Sequence, residues 1–294
     1  HEAAKIPGIY VPSLYDISYN TDGTVMSIKT FHDDIPEVIK KELVKDLDTS
    51  YYPLFPIVPY IRTAQDRIVL EILRGCIRNC RFCQAGQLYK PFRERSADTL
   101  KRYAITMLEN TGHDEITLSS LSSSDYSAFE ELINYIIDYC SERHINISLP
   151  SLRIDSFSLD VMKKVQDIKR SSLTFAPEAG SQRLRDVINK GISEEDILRG
   201  SREAFSGGWN KVKLYFMLGI PTENDEDLAG IGDIANKICA EYFECVPKEK
   251  RIGRSVEVNV SSSFFVPKPF TSFQWAKMAS GDEYVEKVKK VRLG

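Results

Sequence analysis

From residue 67 onward the apolar positions of the chain alternate between two periods. Short runs such as Ile68-Val69-Leu70-Glu71-Ile72-Leu73 read as buried strands, and the strand-like runs fall at 68–74, 115–120, 145–150, 172–176, 211–218 and 255–260. Between them apolar residues recur every three to four positions, which predicts helices over 97–110, 128–143, 159–168, 183–189, 194–205 and 226–243. Ser96, Ser158 and Ser193 stand where an N-cap belongs, each offering a hydroxyl to a free backbone N–H of the first turn. Six strand-then-helix units predict an α/β fold of parallel strands with right-handed crossovers. An open doubly wound sheet and an incomplete barrel with its helices outside both satisfy that pattern. Both also collect ligands at the carboxyl ends of the strands.

Residues 1–65 lack the alternation. Rich in Pro, Tyr and Asp, they predict extended or irregular chain, with one short helix around 35–44 and a proline-punctuated stretch over 53–59. Their periodic apolar positions are too few for a core of their own, so this segment is expected to pack on a main domain spanning 66–275. Residues 276–294 read as the start of a C-terminal helix, and the whole as the core fragment of a longer protein.

Composition narrows the function classes. A hydrophobic fraction of 42% with 28% charged residues is that of an ordinary globular chain, and a net charge of −3 does not indicate a nucleic-acid-coating surface. No apolar stretch approaches the roughly 20 residues that span a bilayer, and no signal-peptide pattern opens the chain. Six cysteines are too few for a disulfide scaffold, so the expected setting is reducing and cytoplasmic.

Three of those cysteines, Cys76, Cys80 and Cys83, fall within eight residues as C-x3-C-x2-C, directly after the first strand-like run. Two thiolates would suit a redox pair, and four would complete a zinc or iron–sulfur cage. Three suggest a metal centre left one ligand short, with an open position for chemistry. Arg74, Arg78 and Arg81 make the loop electropositive, which favours thiolates. None of His1, His32, His113 and His144 is spaced to supply a local fourth ligand. Cys140 sits in a helical pattern as a small buried hydrophobe, and Cys239 and Cys245 show no metal-type spacing.

C-x3-C-x-aromatic-C at the end of a first barrel strand, followed by five more βα units, resembles the radical S-adenosylmethionine (SAM) superfamily over residues 66–265. The resemblance implies an incomplete (β/α)6 barrel. It also implies a [4Fe–4S] cluster held by Cys76, Cys80 and Cys83, whose fourth iron binds the amino and carboxylate groups of SAM. Reductive cleavage of SAM would then give a 5′-deoxyadenosyl radical that abstracts hydrogen from an unknown substrate, with electrons from a flavodoxin- or ferredoxin-type donor.

The same resemblance assigns SAM contacts along the strand ends. Phe82 matches the position against the adenine. Ser122, in Ser119-Ser120-Leu121-Ser122-Ser123-Ser124-Asp125, stands where relatives carry a Gly-Gly-Glu-like segment that receives the methionine amino group. By strand alternation Arg153, in Ser151-Leu152-Arg153-Ile154-Asp155, points to the same mouth, as a ligand of SAM or of the substrate, or as an internal partner of Asp155. Glu178, in Phe175-Ala176-Pro177-Glu178-Ala179-Gly180-Ser181, corresponds to a polar contact for ribose or methionine, and Lys190 twelve residues later to the partner of the SAM carboxylate. Gly219 opens a Gly-x-Pro-Gly-Glu-like turn near the adenine in which Thr222 replaces the second glycine, and Tyr215 stands where relatives often have an acid. Phe264 or Phe265 would lie beside the adenine. Arg93 and Arg95 would be arginines close to an anionic cluster.

Arg-Gly-Cys-Ile-Arg-Asn-Cys-Arg-Phe-Cys-Gln-Ala-Gly and Pro-Lys-Pro-Phe-Thr-Ser-Phe-Gln-Trp are similar to bacterial proteins that carry a cobalamin-type domain ahead of a radical SAM core. No D-x-H-x-x-G cobalamin motif is present, so cobalamin is expected only with a full-length protein. Two other readings stand beside the hydrogen-abstracting enzyme: a tRNA-modifying, methylthiotransferase-like activity, and an iron–sulfur redox sensor that does not cleave SAM.

Overall fold

The computed structural model describes residues 1–61, 63–149, 173–251 and 255–293. The helix expected over 159–168, its Ser158 cap and Arg153 lie outside the described residues. The chain forms two compact units, His1–Ser50 and Tyr51–Gly294.

In the first unit, β1 (Tyr15–Tyr19) and β2 (Val25–Thr30) pair as an antiparallel hairpin. Ala4, Tyr15 and Ile35 are buried together, with Val11, Leu14 and Ile39 packed around them. This segment therefore has a small core of its own, which its apolar periodicity did not indicate. The helix expected over 35–44 does not form, and those residues take no regular structure. Its apolar positions divide: Ile35 and Ile39 join the small core, while Val38 is 73% exposed and Val44 44%. A helix that short is marginal unless packing holds it.

The second unit follows the alternation closely. β3 (Ile68–Glu71), β6 (Glu115–Ser119) and β7 (Asn146–Ser148) form one parallel sheet in the order β3-β6-β7. β8 (Leu173–Glu178), β9 (Lys211–Leu218) and β10 (Glu257–Phe264) form a second parallel sheet in the order β10-β9-β8. In each sheet every new strand adds beside the last. A doubly wound sheet would instead reverse at a switch point, so the sequential order is that of an incomplete (β/α)6 barrel.

The helices are α1 (Gln84–Leu88), α2 (Ala97–Thr111), α3 (Phe129–Ser141), α4 (Gln182–Val187), α5 (Glu194–Ser206), α6 (Asp225–Cys245) and α7 (Gly281–Leu293). Ser96 caps α2 by accepting from Thr99 N at 3.3 Å, and Gly112, at φ 68°, closes its other end. Ser193 and Asp196 form a reciprocal capping box on α5.

Ile68, Leu70, Ile116 and Leu118 pack under Leu100 and Met107 of α2 and Leu132, Ile136 and Cys140 of α3. Val212, Leu214, Phe216 and Leu218 pack under Ile197 and Phe205 of α5 and Ile231, Ile234 and Ile238 of α6. Each fully buried Leu or Ile of these layers contributes about 2 kcal/mol of burial. Cys140 is wholly buried, and burial pushes its thiol up to about 11, as expected of a packing residue. No helix among the described residues is long and apolar enough to cross a membrane.

Candidate metal centre

A two-residue antiparallel pair, β4 (Leu73–Arg74) with β5 (Arg93–Glu94), closes the base of the loop that carries the cysteines. The loop begins at Gly75, whose φ is 96°. A Cβ there would lie 2.8 Å from Pro91 O and 2.9 Å from Tyr89 O, so only glycine makes this turn. Cys76, Cys80 and Cys83 form no disulfide and are of intermediate exposure. Cys83 N donates to Cys80 O at 3.1 Å, which folds the second half of the triplet into a turn. Gly86 N donates to Cys83 Sγ at 3.3 Å and Arg78 N to Cys76 Sγ at 3.5 Å. These backbone N–H groups fix the orientation of the two sulfurs. Among the described residues no three His, Cys, Asp or Glu side chains close into a ready-made metal-ion cage. The donor set is nonetheless that of iron–sulfur ligation: soft thiols on one short loop, two of them receiving backbone donors.

Contacts from both sheets fasten this loop. Arg78 grips Asp125, beyond the end of β6, with two prongs, Nε reaching Oδ2 at 2.9 Å. The Asp125 side chain is only 5% exposed, so the carboxylate end of this pair is shielded from water, while Arg78 is 32% exposed. From the other side, Arg81 N donates to Ile188 O at 2.9 Å and Arg81 Nη1 to Val187 O at 2.6 Å, at the carboxyl end of α4. Asn189 Nδ2 donates to the carbonyls of Arg78 and Asn79 at 3.3 and 3.1 Å. Asn79 and Asn189 both take left-handed backbone, at φ 56° and 53°, which asparagine tolerates better than most residues. Phe82 packs on Ala179, Leu184, Ile188, Ile220 and Phe265, plugging the space beneath the loop.

The other half of the site is built around the end of β8. The β8–β9 register slips between Phe175 and Glu178, and Glu178 sits at φ 70°. Lys190 Nζ donates to Glu178 Oε1 at 3.2 Å, with the two side chains 12% and 16% exposed. The twelve-residue spacing therefore brings the two expected SAM contacts into one pair. Gly180 then lets the turn press onto α6: a Cβ there would lie 2.3 Å from Asp227 O and 2.5 Å from Ile231 N. Ser181 caps α4 and donates to the buried Asp227, which also pairs with Arg183. Burial pushes the Asp227 carboxyl up, but hydrogen bonds from Ser181, Asn224 and Arg183 outweigh it and leave the group below the usual carboxylate range. Neither the Gly180 approach nor the Arg78–Asp125 pair shows in the sequence, because each joins segments far apart along the chain.

The remaining expected contacts divide. Ser122, on the same loop as Asp125, is 3% exposed, and its Oγ has no hydrogen-bond partner among the described residues. Such an orphaned buried hydroxyl fits a site that receives a polar ligand. Gly219, at φ 82°, donates its N–H to both carboxylate oxygens of Glu223 at 3.0 Å, and Lys287 of α7 pairs with Glu223 at 2.7 Å. Thr222 adopts φ 71°, a conformation natural to the glycine it replaces. Tyr215 lies on β9 with Lys213 Nζ 5.0 Å from its ring centre. The Phe264 ring lies against Tyr284 of α7, at 3.5 Å between centres, and Phe265 is buried with Phe82. Arg95 is buried over the Tyr52 and Tyr103 rings, and Arg93 donates to the Pro91 and Tyr89 carbonyls; both are taken up in holding β5 and its surroundings.

Residues 70–234 match the family model described as the radical SAM superfamily. An uncharacterized protein of Methanocaldococcus jannaschii is 36% identical over 272 residues, covering 87% of this chain and 56% of its own. A putative methylthiotransferase of the same organism is 26% identical over 168 residues, covering 54% of this chain and 37% of its own. The chain thus spans about half the length, or less, of these relatives. Among solved structures, the cobalamin-dependent S-adenosylmethionine radical enzyme OxsB aligns with a TM-score of 0.51 at 14% identity, over 74% of this chain and 31% of that one. The radical S-adenosylmethionine methyltransferase TsrM of Kitasatospora setae aligns at 0.50 and 15% identity, over 70% of this chain and 35% of that one. At such identities the likeness is one of fold.

Proposed function

We propose the following chemistry for this chain, which belongs to the radical SAM superfamily and is an enzyme of that class: Cys76, Cys80 and Cys83 hold a [4Fe–4S] cluster through three of its irons. When bound, the cluster supplies the electron that cleaves SAM to methionine and a 5′-deoxyadenosyl radical, and the radical takes hydrogen from a substrate. The observation that carries this reading is the thiol loop itself. Three thiols outside any disulfide lie within eight residues beyond the first parallel strand, on a loop fastened to the Asp125 loop on one side and the end of α4 on the other.

The chain's own residues would divide the remaining work. Gly86 N–H and Arg78 N–H donate to the Cys83 and Cys76 sulfurs and so orient them. Glu178 and Lys190, paired with each other here, carry the two charges that the ammonium and carboxylate of a methionine group call for. The Ser122 hydroxyl, without a hydrogen-bond partner among the described residues, supplies a further contact. Phe82 and the apolar cluster beneath it keep water from the underside of the loop.

The test is anaerobic reconstitution with iron and sulfide, followed by dithionite and SAM. Release of 5′-deoxyadenosine is expected. A reconstituted cluster whose spectrum ignores SAM, with no release, would overturn the reading in favour of a redox sensor.

A further inference from the structure

The strands of this barrel bury one face under helices, and the composition of the other face is what a substrate would meet. In β9 the buried residues Val212, Leu214, Phe216 and Leu218 lie under α5 and α6, so Lys213, Tyr215 and Met217 alternate onto the opposite face. The register sets Thr174 of β8 and Asn259 of β10 on either side of Lys213, and Ser261 beside Tyr215. A barrel with a packed interior places bulky branched residues at such positions. Here they are hydroxyls, an amide and an ammonium.

Lys213 is the unusual member of this row. One step earlier on β9, Lys211 pairs with Glu257 at 2.6 Å, and the same carboxylate accepts from Asn259 at 2.8 Å. Lys213 makes no ion pair with a carboxylate among the described residues, and its ammonium instead lies 5.0 Å from the centre of the Tyr215 ring. A ring face stabilises a cation only modestly, whereas an anion completes it.

We infer that Lys213, with the hydroxyls of Tyr215, Thr174 and Ser261 around it, takes an anionic group of the substrate, a carboxylate or phosphate, on the inner face of the second sheet. This rests on the reading of the site as a radical SAM centre, and it adds the chemical class of the substrate. The anion would anchor the substrate, leaving its C–H bonds toward the carboxyl ends of the strands.

The probe is malonate, with malonamide as its uncharged equivalent, on the reconstituted holoenzyme. Lysines are labelled under anaerobic conditions with acetic anhydride, and the modification of each is followed by mass spectrometry. Malonate should slow labelling of Lys213 several-fold while malonamide does not, and Lys211, already paired, should be unaffected by either. Labelling of Lys213 that ignores malonate, or that both compounds slow equally, overturns the inference, as does equal protection of Lys211. Release of 5′-deoxyadenosine is scored separately on unlabelled holoenzyme. Failure there defeats the radical reading, whereas failure of the protection pattern alone defeats only the anion site.

Discussion

In the first sheet Ile68, Leu70, Ile116 and Leu118 meet α2 and α3, and in the second Val212, Leu214, Phe216 and Leu218 meet α5 and α6. The two halves are thus alike where they face helices. They differ at their carboxyl ends. The first carries thiols, serines and the Asp125 anchor, while the second carries Glu178, Lys190 and the Arg183–Asp227 pair. The reactive groups of the first half are held in place by the second, through Arg81 and Asn189 at the end of α4. Each half alone has a sheet and a core, and the site needs both.

The division can be broken on either side. Cys80→Ala, in the first half, should abolish both the cluster absorbance near the visible range and 5′-deoxyadenosine release. Full cleavage by the variant would refute the ligand assignment. Gly180→Ala, in the second half, should cost about 3 kcal/mol, because the new Cβ meets the α6 backbone rather than a yielding side chain. Denaturant unfolding measures this, and cluster retention should fall with it if α4 positions the thiol loop. An unchanged unfolding midpoint would show that the turn can move away from α6.

A smaller change sharpens the contrast. Lys190→Gln should weaken SAM binding about tenfold, as expected for one charge-assisted contact. Equilibrium binding to the reconstituted protein gives the value. Unchanged affinity would mean that Lys190 serves partners within the protein rather than SAM. Smallest is Thr222→Gly, which removes a left-handed threonine and should stabilise the fold by about 1 kcal/mol, raising the melting temperature by a few degrees. Loss of the 3.3 Å contact from Arg183 to the Thr222 hydroxyl offsets part of that gain.

The same contrast separates what the sequence conveyed from what it did not. Strand alternation in 211–218 and helical periodicity in 97–110 and 194–205 are local signals, and the elements form there within a residue or so. The cysteine spacing was equally local. Gly180 reads as an ordinary turn residue until α6 is folded against it, and Asp125 as one more acid in a serine-rich loop until Arg78 reaches it. The periodicity in 35–44 failed for the opposite reason: it was local, and while Ile35 and Ile39 joined a small core, Val38, Leu43 and Val44 stayed exposed.

The Glu223 carboxylate, 2% exposed, grips the backbone of Gly219 and is matched by Lys287 on α7. Anyone trimming the gene to a minimal catalytic fragment at residue 280 would strip that carboxylate of its counter-ion. The damage would surface in a turn some sixty positions upstream of the cut, and the C-terminal helix should be retained in any shortened version.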